Sequence, residues 1–189
     1  MAFIMFKNIK NKKERNLIMA QDMIKGGHVL CESTNILSSH FGGGHIYSIA
    51  ITEDMDNGMI VARSEFVDGE YEDEAWKMKT YAAGDEPLLL LNPPVVPFTA
   101  LRGYADEDRF YNAAGNRVRA YTLRIGDRIS LSEDAFDTAP KAKQYVTFDA
   151  AAKQYVVSDT KTEGEFCAQI LTVIPRTNLM MYKMQVVSL

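Results

Sequence analysis

The sequence predicts a mainly β protein: a small antiparallel β-barrel or sandwich body with a partly helical or extended N-terminal arm. Three observations predict it. Beyond Gly26-Gly27, short β-branched and aromatic runs are separated by Gly, Asn and Asp at close intervals, the punctuation of an all-β chain. From Arg117 to Ile125 the residues alternate, with Val118, Ala120, Thr122 and Arg124 on one side and Arg119, Tyr121, Leu123 and Ile125 on the other, as in a strand. Lys-Gln-Tyr-Val occurs at Lys143 and again at Lys153, around Asp149-Ala150-Ala151-Ala152-Lys153, which suits a hairpin with a short loop.

Residues 1–27 form the arm. Its first 25 residues carry Lys7, Lys10, Lys12, Lys13, Arg15 and Lys25 against Glu14 and Asp22, a balance of +4 in a chain of net charge −4, so the remainder holds −8. A basic arm therefore precedes an acidic body. Such an arm can rest on an acidic protein surface, rest on a phosphate backbone or stay solvated. Its apolar residues (Phe3, Ile4, Phe6, Ile9, then Leu17, Ile18, Met19, Met23, Ile24) are spaced for short helical stretches that Gly26-Gly27 would stop.

The body spans 28–189. Tyr47–Thr52 and Met59–Arg63, separated by a turn containing Asn57-Gly58, read as a hairpin over 46–63, because Asn-Gly accepts the positive backbone angles of a tight turn. Glu70–Ala83 fits a helix or a strand, and its neighbours favour the strand. Leu88–Leu91 lies between Pro87 and Pro93-Pro94, too short for a helix, and reads as a buried strand leading into an extended crossing. If the body is two small barrels rather than one, they meet near 92–105.

Asn112–Asn116 is a turn before the alternating strand. Gly126-Asp127 turns the chain into Arg128–Ser132, where Ile129 and Leu131 share a face. Gln144–Phe148 and Gln154–Ser158 are the two arms of the repeat hairpin. Phe166–Ile174 reads as a buried strand ended by Pro175, and Leu179–Val187 as the last strand.

Composition excludes several classes. With 47% hydrophobic and 24% charged residues among 189, the chain can bury a sizeable core and is neither collagen-like nor wholly disordered. No apolar run approaches the roughly 20 residues of a spanning helix. The apolar start Met-Ala-Phe-Ile-Met-Phe is too short for a signal peptide, and its charge follows it. Cys31 and Cys167 are too few for a disulfide scaffold and are expected as free thiols made in a reducing cytoplasm.

Candidate chemistry is sparse. His28, Cys31, His40 and His45 fall close together, and His40 and His45 have zinc-ligand spacing; a single thiolate and the intervening Gly42-Gly43-Gly44 argue instead for a loop with unliganded histidines and no metal. Asp54, Asp56 and Glu65 sit at three positions of a calcium loop, but Met59 stands where its glycine is required. The glycine triplet lacks the Lys-Ser/Thr of a phosphate cradle, and Ser38, Ser39 and His40 lack a nucleophile elbow. The acids from Glu65 to Glu74 read as a solvated edge rather than a glycosidase pair. Arg109-Phe110-Tyr111 and Arg117–Tyr121 place aromatics beside basic groups, yet the acidic body argues against nucleic acid. No catalytic residue, cofactor or small-molecule substrate is expected.

The stretch from Phe110 to Ser132, FYNAAGNRVRAYTLRIGDRISLS, resembles the head decoration (cement, or auxiliary capsid) proteins that tailed bacteriophages encode beside their major capsid protein. The resemblance takes in Asp56-Asn57-Gly58, Pro87–Pro94 and Tyr145–Ile174, and so covers about residues 45–189. It rests on turns and strands and leaves the arm unaccounted for. It implies a non-enzymatic virion protein, made in the host cytoplasm, that binds the outer or intercapsomer surface of a capsid and stabilises it. Its partners would be the major capsid protein and copies of itself, without a membrane. Phe3, Phe6, Lys12, Lys13 and Arg15 are the expected capsid contacts. The alternative is a small β-barrel adaptor or a carbohydrate- or receptor-binding module of a virion, with Trp76, Tyr104 and Tyr111 as its platform.

Overall fold

The computed structural model describes residues 27–40, 45–67, 74–93, 110–176 and 179–189. The arm, apart from Gly27, lies outside them. The strands are β1 (Cys31–Asn35), β2 (Ile46–Ala50), β3 (Ile60–Phe66), β4 (Trp76–Thr80), β5 (Leu88–Leu90), β6 (Arg117–Thr122), β7 (Arg128–Ser132), β8 (Tyr145–Asp149), β9 (Gln154–Ser158), β10 (Cys167–Pro175) and β11 (Met180–Ser188). The expected mainly β class is what the structure shows. It comprises a closed barrel in the order β2-β4-β3-β5-β6 and a six-stranded sheet in the order β1-β7-β11-β10-β8-β9. All pairings are antiparallel except β2 with β4, which is parallel.

The alternating stretch forms β6 over Arg117–Thr122, where Val118, Ala120 and Thr122 are buried and Arg119 is exposed; the strand expected to run to Ile125 stops short, since Leu123 is buried and Leu123–Ile125 leave the strand. Leu88, Leu89 and Leu90 are all buried, so both faces of β5 are covered and alternation is lost. The repeat hairpin is β8–β9, paired from Tyr145↔Ser158 to Asp149↔Gln154. Both repeat lysines, Lys143 and Lys153, adopt left-handed φ values of 76° and 55°. Each repeat therefore begins with a turn that launches a strand.

The hairpin expected over 46–63 does not form. The Asn57-Gly58 turn exists, but β2 pairs with β6 and β4, and β3 lies on the far side of β4. Beyond β2 the chain stays bound to 112–116: Ile51 N–H donates to Asn116, Gly115 N–H to Ile51, and Met55 and Asn112 exchange two bonds. That long-range pairing takes the partner a local hairpin would need.

The stretch read as a histidine-bearing loop contains β1, which pairs along β7. The barrel takes strands from both sides of 92–105, since β5 precedes and β6 follows that stretch. The chain crosses from barrel to sheet at 123–127, where buried Asp127 accepts N–H bonds from Leu37 (2.9 Å) and Arg124 (2.8 Å).

Barrel and sheet share one core. Tyr155, fully buried, packs its ring against Phe136, Phe148 and Phe166 at centroid distances of 5.7, 5.1 and 6.0 Å. Its hydroxyl donates to the Gly58 carbonyl at 2.6 Å, and the Tyr81 hydroxyl of the barrel accepts from Phe166 N–H at 2.8 Å. Burying each such side chain contributes roughly 1.5–3 kcal/mol.

Candidate functional site

The expected capsid contacts Phe3, Phe6, Lys12, Lys13 and Arg15 lie outside the described residues, as do Gly42-Gly43-Gly44 and Tyr104. The four zinc candidates are described and are not brought together. His28 Nδ1 lies 2.8 Å from Asp56 Oδ1, and its ring stacks on Tyr111 with centroids 4.9 Å apart. Cys31 is buried at the junction of barrel and sheet, His40 is exposed after a single 3-10 turn, and the His45 carbonyl accepts Thr122 N–H. Among the described residues no group of three or more His, Cys, Asp or Glu side chains could hold a metal ion.

The calcium candidates are likewise dispersed. Asp54 Oδ1 accepts Ala114 N–H at 2.8 Å, Asp56 Oδ2 accepts Val29 N–H at 3.1 Å, and Glu65 pairs with Lys77. Ser38 and Ser39 both donate their hydroxyls to backbone carbonyls, of Thr122 and Ile36 respectively, so neither is poised as a nucleophile.

Two open depressions flank the junction. One, of about 470 Å³, lies between β1 and Leu91–Pro93 beside Arg119 and Tyr121. The other, of about 380 Å³, holds His28, Asp54, Asp56, Tyr111, Asp134 and Lys153. Its polar groups act as structural ties: Lys153 Nζ bonds Glu53 at 2.8 Å and the Asp54 carbonyl at 3.3 Å, joining the β8–β9 turn to the barrel. Shifted titrations arise elsewhere and have structural causes. Burial pushes the Tyr155, Tyr81, Tyr182 and Cys167 groups up, so Cys167 stays a thiol at neutral pH. A hydrogen bond from Lys79 lowers Asp85.

The aromatic platform is not assembled from Trp76 and Tyr111. Tyr111 is exposed against His28, whereas Trp76 meets Phe66 and Tyr47 edge-on. The Arg63 guanidinium lies 4.5 Å from the centroids of both Tyr47 and Trp76. It covers ring faces that a sugar would need.

One feature of the sheet is open. β8 accompanies β10 from Cys167 to Gln169, and the pairing ends where Lys143 and Gln144 bond Ile170. Lys143, at left-handed φ, then turns the chain away. From Leu171 to Pro175 only β11 flanks β10 among the described residues. Leu171 and Ile174 are 40% and 36% exposed there, and Thr172 is exposed as well. The strand expected to be buried is thus buried only through Ile170.

The β9 edge, which lies on this same side of β10 beyond β8, is covered. Phe136 bridges Tyr155, Asp137 N–H donates to the Tyr155 carbonyl, and Asp137 Oδ1 accepts Val157 N–H at 3.0 Å. Sequence reasoning did not find the β10 edge. The available signal was the absence of any charge from Cys167 to Pro175, which reads equally as core.

No protein-family model, curated protein or solved structure matches the chain.

Proposed function

We propose that this protein is a non-enzymatic virion structural protein of the capsid-decoration type, attached by its basic arm and by a β edge. The observation that carries the reading is the uneven cover along one side of the sheet, the side of β10 that faces β8 and β9. The β9 edge is closed by main-chain and side-chain bonds, while among the described residues β10 presents an uncharged, mostly apolar edge from Leu171 to Pro175. An exposed edge of that kind is a protein-contact surface, because backbone N–H and C=O groups seek a strand partner.

The sequence resemblance supplies the capsid as the partner, and the +4 arm ahead of a −8 body supplies a second contact of opposite charge. Weak contacts of this size gain strength on a symmetric shell, where many copies bind side by side. The adaptor or carbohydrate-binding alternative loses its platform where Arg63 covers Trp76.

The test is co-sedimentation with capsids. Replacing Lys12, Lys13 and Arg15 by Glu in the full chain should abolish binding while leaving the melting temperature unchanged; undiminished binding would remove the arm from the proposal. Imaging of particles should show hundreds of symmetric copies, and a few copies at one vertex would favour an adaptor instead.

A further inference from the structure

The open flank of β10 has a charge setting that selects among occupants. At its start stand Lys141 and Lys143, both exposed and without an ion pair among the described residues. Lys183 faces Thr172 from β11. At its end stands Arg176, held at 2.7 Å by Glu32 of β1. Two acids hold polar groups of this edge: that Glu32, and Asp159, which accepts the Gln144 amide at 2.8 Å. The edge is therefore apolar in the middle, basic at its start and ion-paired at its end.

A second β10 edge and the basic arm both match this setting poorly. An antiparallel pairing of two β10 edges about a two-fold axis would bring the Lys143 end of one copy against the Arg176–Glu32 pair of the other, which offers the lysines no unpaired acid. The arm, with six basic groups against two acids, is repelled by the same lysines.

We propose that the β10 flank accepts an added strand from a different protein, an extended segment that is β-branched in the middle and acidic at the end that meets Lys141 and Lys143. The bulge between Ile170 and Thr172 and the missing N–H of Pro175 shorten the usable ladder to a few bonds. Affinity per copy is then weak, and the acidic end sets orientation and partner choice. The capsid reading enters only as the source of the strand, and the edge chemistry is testable without capsids.

The probe is the capped peptide Asp-Glu-Val-Thr-Val-Thr-Val-Glu-Asp, titrated into the isotopically labelled full chain and followed by amide NMR shifts. Shifts confined to Leu171–Arg176 and Lys143, and binding weakened about 10-fold or more when the peptide's acids are replaced by Lys, are expected. Lys141→Glu with Lys143→Glu should reverse that preference. Ile174→Asp, at an exposed position, should abolish the shifts with the fold intact. Absence of shifts on β10 at millimolar peptide, or equal binding of both peptides, would overturn the proposal. So would a concentration-dependent dimer that produces the same shifts without peptide. A negative peptide result beside intact capsid co-sedimentation would reject the edge alone; the converse would reject the capsid reading alone.

Discussion

The phenol of Tyr155 donates a 2.6 Å hydrogen bond to the carbonyl of Gly58, ninety-seven residues away in sequence. The bond joins β9 of the sheet to the turn that opens β3 of the barrel. Gly58 is itself held by its N–H on the Leu90 carbonyl at 2.8 Å. One turn thus touches β5, β9 and the neighbourhood of β1, which is why barrel and sheet behave as a single core.

Gly58 should be the least replaceable glycine of the described body. It takes φ +86°, and a Cβ there would lie 2.5 Å from Leu131 Cδ2 and 3.3 Å from Cys31 Cβ. Gly58→Ala should cost about 2–5 kcal/mol, combining left-handed strain with overpacking. Gly115→Ala, at φ +83° with nothing within 4 Å, should cost only about 1–2 kcal/mol. Urea unfolding of both variants checks the contrast; equal losses would mean that strain alone matters.

Tyr155→Phe keeps the ring packing and removes the donor. The Gly58 carbonyl is then left buried without its partner, so a loss of about 1–3 kcal/mol is expected. A change within a few tenths of a kcal/mol would show that water reaches the junction.

Local patterns were legible and distant pairings were not. The alternation from Arg117 and the repeated tetrapeptide each encode their strand within a few residues: β9 has the bounds read for it, β8 is displaced by one residue, and β6 stops at Thr122 rather than Ile125. Asn57-Gly58 encodes a turn too, but not the partner of the strand before it. That partner was decided by Asn112–Asn116, which bond Ile51 and Met55 from far along the chain. The β10 edge was hidden for a related reason: its exposure depends on β8 beginning only at Tyr145, after the turn at Lys143, and nothing within Cys167–Pro175 records this.

Chelators should leave the protein unchanged. His28 is engaged with Asp56 and Tyr111, and Cys31 is buried in the core, apart from the exposed His40. Thermal unfolding in excess EDTA is expected to superimpose on the untreated curve. A lowered melting temperature would indicate a metal that draws on residues outside the described segments.

Alkali should unfold the protein before acid exposes any comparable weakness of the core. Burial raises Tyr155, Tyr81 and Tyr182 above the ordinary tyrosine value and Cys167 above the ordinary thiol value. The folded state therefore holds protons that the unfolded chain releases. The associated stability is fully present below the unfolded values, about pH 9 for the thiol and about pH 10 for the phenols, and falls as pH rises toward the folded ones. Denaturation midpoints should be flat between pH 7 and pH 8.5 for these groups and decline above that. Tyr155→Phe should soften the decline, since it deletes the most deeply buried of them.

The covered flank offers the complementary test. Asp137 Oδ1 accepts both Thr138 N–H (2.7 Å) and Val157 N–H (3.0 Å), so the side chain stands in for a strand partner along β9. Asp137→Ala should cost about 0.5–1.5 kcal/mol, toward the lower end because Asp137 is exposed and water can replace it. The sharper readout is hydrogen exchange: the Val157 amide should exchange faster while Ala168 in β10, paired on both sides, does not. Opening β9 in this way should also give the sheet a second adhesive edge and raise concentration-dependent association. If Val157 stays protected in the variant, the cover is held by the Phe136–Tyr155 bridge and the Asp137 main chain, and the carboxylate serves only its local turn.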